Sequence, residues 1–190
     1  MRIRFARPED SSALLAIYAQ SISTPVTFEY HLPAPEAFAQ RIIKTQERYP
    51  FLVWEENSCI LGYAYAHPER TTSAYQWNAE LTIYLDKNAT GHGIGKRLYG
   101  ALMELLRLQG VRTVYGVVTS PNPASEGLHA SFGFHLLGIH HRTGYKNGKW
   151  HDVLWFEKAL AAYDQDPAPV TPIQQLDQAM VRSLLERYSN

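Results

Sequence analysis

Residues 90–98 read TGHGIGKRL and directly follow the strand-like run AELTIYLDKNA (79–89). Three glycines alternate with other residues before an apolar, basic-flanked segment begins. Glycine lets backbone N–H groups approach an anion closely, and a helix predicted from about Ile94 aims its positive end at the same place. Lys96 and Arg97 fall in the first helical turn, where they oppose the helix dipole unless an anion is bound. The spacing excludes two nucleotide loops. A dinucleotide fingerprint needs G-x-G-x-x-G, but Gly91, Gly93 and Gly95 give G-x-G-x-G, followed by Lys96. A triphosphate loop needs one more residue between Gly91 and Gly95, and a hydroxyl where Arg97 stands. Two readings stay open: a seat for some other phosphate, or a turn that merely requires positive φ.

Outward from this loop, the periodicity predicts a mixed α/β chain. Ile3 and Phe5 alternate with Arg2 and Arg4 in a first strand. Asp10 or Ser11 is positioned to cap a helix whose face is Leu14, Leu15 and Tyr18. Residues 21–33 carry Pro25 and Pro33 without a clear period and read as a loop. A second helix carries Phe38 and Ile42 to about Arg48, with Tyr49 continuing the spacing. FLVWE (51–55) and CILGYAYAH (59–67) form a hairpin across a polar turn, a polar loop covers 68–75, and QWNAELTIYL (76–85) is the next strand. After the glycine loop, Leu98, Leu102, Leu105 and Leu106 mark an amphipathic helix ended by Gly110. A strand (111–119), a loop with a short helix (120–134) and two strands joined at Asn147-Gly148 complete residues 1–162. The segment 163–190 reads as a Pro-rich linker and a tail helix with Ile173, Leu176, Met180 and Leu184 on one stripe, which docks on its own domain or a twin subunit.

The composition is that of a globular chain: 190 residues, 45% hydrophobic, with 18 Lys plus Arg balancing 18 Asp plus Glu. Zero net charge argues against broad capture of nucleic acid or an anionic membrane. The single cysteine, Cys59, allows no internal disulfide and reads as a core thiol in a reducing compartment. No apolar run approaches membrane-spanning length and no signal peptide is visible, so a cytoplasmic location is expected. His140, His141 and His151 invite a metal reading. Adjacent strand histidines face opposite ways, so no metal is expected.

The strand LTIYL, the loop GHGIGKRL, the helix ending at Gly110 and VVTSPNPASEGLHASFGF (117–134) together resemble the GNAT-type N-acetyltransferase superfamily. ERYPFLVWEENSCILGYAYAHP (47–68), AYQWNAELTIYL (74–85) and GYKNGKWHDVLWF (144–156) resemble its phosphinothricin and methionine-sulfone branch. The likeness covers about residues 1–160. It implies a mixed, mostly antiparallel central sheet flanked by helices, acetyl-CoA as co-substrate, a small-molecule amine as partner and a homodimer. It also implies that Gly91, His92, Gly93, Ile94, Gly95 and Lys96 hold the pyrophosphate, and that Ile83, Tyr84 and Leu85 meet the pantetheine arm and acetyl carbonyl. Asn122 and Ser131 fall where the family contacts the cofactor. Thr90 stands where the superfamily pattern has Gln or Arg.

Acetyl transfer to an amine needs a base, an oxyanion donor and a departing thiolate. Glu80 lies inside an otherwise apolar strand, where burial would raise its pKa toward usefulness, and the family's catalytic glutamate falls there. A backbone N–H near Tyr84 is the oxyanion candidate. His129 occupies the superfamily's tyrosine-acid position, as in the phosphinothricin branch, and is a candidate to aid thiolate departure or to deprotonate the amine with Glu80. Arg70 is placed like an anion-binding arginine of the amino-acid branch. The phosphinothricin enzymes carry theirs two positions later, where this chain has Thr72. Phe28, Tyr75 and Trp77 are candidate pocket walls. The expected reaction is direct transfer, in a ternary complex, to an amino acid or an analogue such as methionine sulfone, sulfoximine or phosphinothricin. The alternatives are another amine (polyamine, peptide N-terminus, antibiotic) or a non-catalytic CoA-binding module.

Overall fold

A computed structural model describes residues 1–190. Seven strands, β1 (Arg2–Phe5), β2 (Phe51–Glu56), β3 (Cys59–Pro68), β4 (Asn78–Leu85), β5 (Thr113–Ser120), β6 (His135–Lys146) and β7 (Lys149–Ala159), form one sheet ordered β1-β2-β3-β4-β5-β7-β6. Every neighbouring pair is antiparallel except β4 and β5. Five helices flank it: α1 (Ser11–Ile22), α2 (Pro35–Gln46), α3 (Ile94–Gln109), α4 (Pro123–Ser131) and α5 (Gln178–Ser189).

Strand alternation divides the apolar residues between two cores. Phe51, Val53 and Tyr63 face α1 and α2, where they meet Leu14, Tyr18, Phe38 and Ile42. Leu52, Trp54, Ala64, Ala66, Ala79 and Leu81 face the other way, onto Leu98, Leu102, Leu105 and Leu106 of α3. The expected stripes of α1 and α3 are therefore the buried ones. Gly110 ends α3 at φ 94°, with its N–H on the carbonyls of Arg107 and Leu106.

Three local expectations are corrected. Asp10 gives α1 no side-chain cap, because its carboxylate is taken by the Arg4 guanidinium at 2.7 Å and by the Arg7 N–H at 2.7 Å. Cys59 is exposed, since the turn Asn57-Ser58, both at positive φ, starts β3 at the hairpin tip beyond the helices. The tail stripe is corrected only at Met180: Ile173 and Leu184 lie in the α3-side core and Leu176 packs against it. Ile173 sits in a separate short turn, and Asp177 accepts from the N–H groups of Ala179 and Met180 to start α5 afresh. Val181, Leu184 and Leu185 face inward and join the α3-side core, whereas Met180 is 53% exposed. The tail docks on its own chain: Gly100 of α3 faces Tyr188, and Ser189 Oγ accepts from the Ile3 N–H at 2.7 Å.

Candidate active site

β4 and β5 pair only from Asn78/Thr113 to Leu81/Gly116, although β4 continues to Leu85 and β5 to Ser120. Beyond Leu81 the two strands part. Which β4 groups this leaves free follows from parity. Asp86 N–H donates to the Leu61 carbonyl at 2.9 Å, and hydrogen-bonded pairs alternate along an antiparallel ladder. Tyr84, opposite Tyr63, therefore spends its N–H and C=O on β3, while Ile83 and Leu85 turn theirs into the gap. The amides near Tyr84 that face the gap are therefore those of Ile83 and Leu85, not that of Tyr84 itself. The Tyr84 ring lies under α1, edge-on to Tyr18 at 4.9 Å, and burial raises its hydroxyl pKa well above the ordinary value.

The gap opens into a cleft of about 460 Å³ whose lining includes Glu80, Ile83, Tyr84, Leu85, Thr90, Tyr99, Asn122, His129 and, from the loop before α2, Thr27 and Phe28. This volume suits a small-molecule site. A larger hollow of about 580 Å³ between β1 and α5 is lined by Arg2, Arg4, Glu186 and Ser189 but by none of the candidate catalytic groups.

At the end of the gap, Gly91 and Gly93 each hold φ at 81°, and Gly93 is the N-cap of α3. No side chain caps that terminus and its first turn holds no acidic residue, so its amides are free for an anion. Gly95 packs against Leu85, since a Cβ there would lie 3.3 Å from Leu85 Cδ1. The loop thereby adjoins the free end of β4. His92 and Lys96 are exposed beside it. Arg97 turns away, over the Trp54 ring at 5.6 Å and toward the Ser189 carbonyl at 3.3 Å. Thr90 donates its hydroxyl to the Lys87 carbonyl at 3.0 Å. Asn122 caps α4 by accepting from Ser125 N–H at 3.2 Å, whereas Ser131 is exposed and donates to the Leu128 carbonyl.

Glu80 and His129 approach the gap from opposite faces. Leu81, the neighbour of Glu80, points to α3, so Glu80 points to the other side. Its carboxylate lies 3.6 Å from His67 Nε2 and its side chain is 23% exposed. Burial raises the Glu80 pKa above 4.5; His67 opposes the shift and Glu69 reinforces it. On the α3 face, His129 is buried against Gly116, where a Cβ would fall 1.9 Å from its Nε2. Nδ1 donates to the Ser125 carbonyl at 2.8 Å, leaving Nε2 to accept from the Tyr99 hydroxyl at 2.9 Å. Burial lowers the imidazole pKa below 6.5, against the Ser125 carbonyl, so the ring is neutral and neither nitrogen is free to meet an amine. Tyr99, a cleft residue the sequence reading passes over, is wholly enclosed; burial first and the Glu80 charge second raise its pKa far above 10.0.

Of the acceptor-side candidates, only Phe28 lines the cleft. Trp77 packs on the α3-side core and donates Nε1–H to the Ala168 carbonyl at 2.8 Å. Arg70 pairs with Glu69 at 3.0 Å and stacks over Tyr75 at 5.2 Å, and with Thr72 it lines a separate polar hollow. No group of three or more His, Cys, Asp or Glu side chains is arranged to hold a metal ion. No helix is long and apolar enough to cross a membrane.

The chain matches the model of the acetyltransferase (GNAT) domain over residues 3–155. It is 33% identical to phosphinothricin N-acetyltransferase of Streptomyces viridochromogenes over 93% of this chain and 96% of the relative. It is 31% identical to the L-methionine sulfoximine/L-methionine sulfone acetyltransferase of Pseudomonas aeruginosa, over 83% of this chain and 94% of that protein. Among solved structures, a GNAT superfamily phosphinothricin acetyltransferase from Sinorhizobium meliloti, in complex with AcCoA, superposes with a TM-score of 0.83 at 30% identity, covering 90% of this chain and 97% of that one. With the parted strands, the uncapped glycine-loop helix and these matches together, the chain belongs to the GNAT acetyltransferase family.

Proposed function

We propose that the protein moves the acetyl group of acetyl-CoA directly to the primary amine of an amino acid or amino-acid analogue, with both substrates bound together. The observation that carries this reading is the parting of β4 and β5, with a raised-pKa carboxylate on one face and a buried Tyr99–His129 pair on the other. Acetyl-CoA supplies an activated acyl carbonyl and a thiol leaving group of pKa about 8.5. The free amides of Ile83 and Leu85, with the amides of residues 91–96, are the groups that would hold it. Glu80 takes the proton of the acceptor ammonium, directly or through a water, and its elevated pKa strengthens it as a base. Ile83 or Leu85 N–H donates to the developing oxyanion, where one donor is worth about 10²–10³ in rate. Tyr99 commits its single hydroxyl proton to His129 Nε2 and so turns only an acceptor oxygen toward the thiol side, where a departing thiolate of this pKa needs no strong acid. Its strongly raised pKa keeps its proton in place, and His129 acts by orienting the hydroxyl.

Relatives acting on methionine sulfone, methionine sulfoximine and phosphinothricin support an amino-acid-like acceptor. Within that class the charge pattern favours a neutral side chain. Arg70 is already paired with Glu69, and Thr72 offers no cation to a phosphinate. A cytoplasmic location and a homodimer belong to the same proposal, the latter to be read by sedimentation. The test is release of free CoA thiol from acetyl-CoA across a panel of amino acids, analogues and amines. Methionine sulfone or sulfoximine is expected to turn over better than phosphinothricin. Binding of acetyl-CoA with no turnover of any primary amine would overturn the reading.

A further inference from the structure

The segment between α1 and α2 crosses the acceptor side of the cleft as a strap, contributing Val26, Thr27 and Phe28 to its wall. Toward α1 and α2 it is tied by Thr27 Oγ1 to the Tyr18 hydroxyl at 2.7 Å and by Glu29 to Arg41 at 3.2 Å. Its other side is held by the β6–β7 hairpin. Asn147 Nδ2 donates to the Ser23 carbonyl at 2.9 Å, and the Tyr30 hydroxyl donates to the Tyr145 carbonyl. Between these ties lies Lys146, only 3% exposed, with Nζ donating to the carbonyls of Thr27 at 2.5 Å and Glu29 at 2.8 Å.

A buried ammonium is costly unless its hydrogen bonds are met, and Glu29, whose charge favours this one through space, gives its carboxylate to Arg41 instead. Its partners are two backbone carbonyls that flank a single residue, Phe28. Holding both fixes the backbone on either side of that ring. The ring is seated over Gly144, where a Cβ would lie 2.2 Å from Phe28 Cζ, and 6.3 Å from the His151 ring. His151 in turn bonds the Lys146 carbonyl through Nε2 at 3.0 Å. A residue needed only to fill space here would be apolar. An ammonium clamped to the backbone of a cleft-lining strap has a positional task instead.

We infer that Lys146 is a positioning residue for the acceptor site: its ammonium clamps the 27–29 backbone so that Phe28 is held over Gly144 and sets the size of the acceptor pocket. Lys146 does not touch the acceptor and acts through Phe28. The inference rests on the proposed acetyl transfer, and its test separates the two.

Steady-state thiol-release kinetics on Lys146→Met, Lys146→Arg and Gly144→Ala should be read beside amide hydrogen exchange over residues 26–30. Lys146→Met is expected to raise the acceptor KM about tenfold, with the acetyl-CoA KM within about twofold, and to speed exchange at 26–30. Lys146→Arg, which retains donors for both carbonyls, is expected to recover part of the acceptor KM. Gly144→Ala displaces Phe28 with the clamp intact and should likewise raise the acceptor KM alone; if Lys146→Met does not fold, this variant decides. An unchanged acceptor KM in the folded variants overturns the inference. So does a parallel rise of both KM values with a lowered melting temperature, which marks a structural role only. If no amine on the panel is acetylated, the acceptor reading fails, and exchange at 26–30 in Lys146→Met still decides the clamp.

Discussion

Gly116→Ala puts the heart of the site to a quantitative test. A Cβ at this position would lie 1.9, 2.5 and 2.9 Å from His129 Nε2, Cδ2 and Cε1, so the ring must retreat by about 1 Å or more to reach ordinary contact. It has nowhere to go. Phe156 stacks on it at 5.2 Å, Phe134 and Tyr99 stand edge-on at 5.0 and 5.4 Å, and Nδ1 is tied to Ser125. Overpacking a filled core costs about 1–3 kcal/mol. Breaking the Tyr99–His129 bond strands two buried polar groups, at about 1–3 kcal/mol for each. The sum runs from about 3 to 9 kcal/mol, and for a domain of this size even its low end lowers the melting temperature by about 6–12 °C. Thermal unfolding measures that shift, and thiol release should fall with it as Tyr99 loses its orientation. Gly127→Ala is the control. Nothing lies within 4 Å of a Cβ there, and alanine favours the helix by up to about 1 kcal/mol. A Gly116→Ala protein that melts within about 2 °C of the parent with unchanged turnover refutes the packing argument.

Three further outcomes follow from the site. Because the Glu80 pKa is raised and its ionised form is the base, the acid limb of kcat/KM should lie above pH 4.5. Glu69→Gln should move that limb down and His67→Gln should move it up, read from pH profiles. The same shift makes ionising Glu80 unfavourable to the fold: its contribution to stability is full below pH 4.5 and is lost as pH rises through the folded-state value, as pH-dependent unfolding would show. Gly93→Ala places a side chain at φ 81° at the head of α3, a strain of about 1–2 kcal/mol. It should weaken acetyl-CoA binding in calorimetry while leaving the acceptor KM near the parental value.

Features set by local backbone rules were legible in the sequence. The glycine loop ends where α3 begins, at Ile94, and Asn147-Gly148 turns β6 into β7 with both residues at positive φ. Glu80 stood out because a carboxylate interrupts an apolar strand. What escaped depends on contacts between distant segments. Tyr99 lies outside the expected α3 stripe, and becomes a cleft residue because Gly116 of β5 makes room for its partner His129. Nothing local in the sequence marks Lys146 for burial, which needs the strap that crosses from α1. Trp77 reads as a pocket wall beside Glu80, but the chain near Ala168 returns to accept its indole N–H. In the tail only Met180 leaves the expected stripe, because Asp177 restarts the helical register, a capping event that periodicity alone does not show.

The account stands most directly on Glu80→Gln, a near-isosteric change that removes the base and leaves the backbone groups of Ile83, Leu85 and residues 91–96 in place. With the best acceptor from the panel, thiol release should fall by about 10²–10⁴, with acetyl-CoA affinity by calorimetry within about twofold of the parent. Turnover within about threefold of the parent in that variant would contradict the assignment of Glu80 as the base, and with it the division of labour across the parted strands.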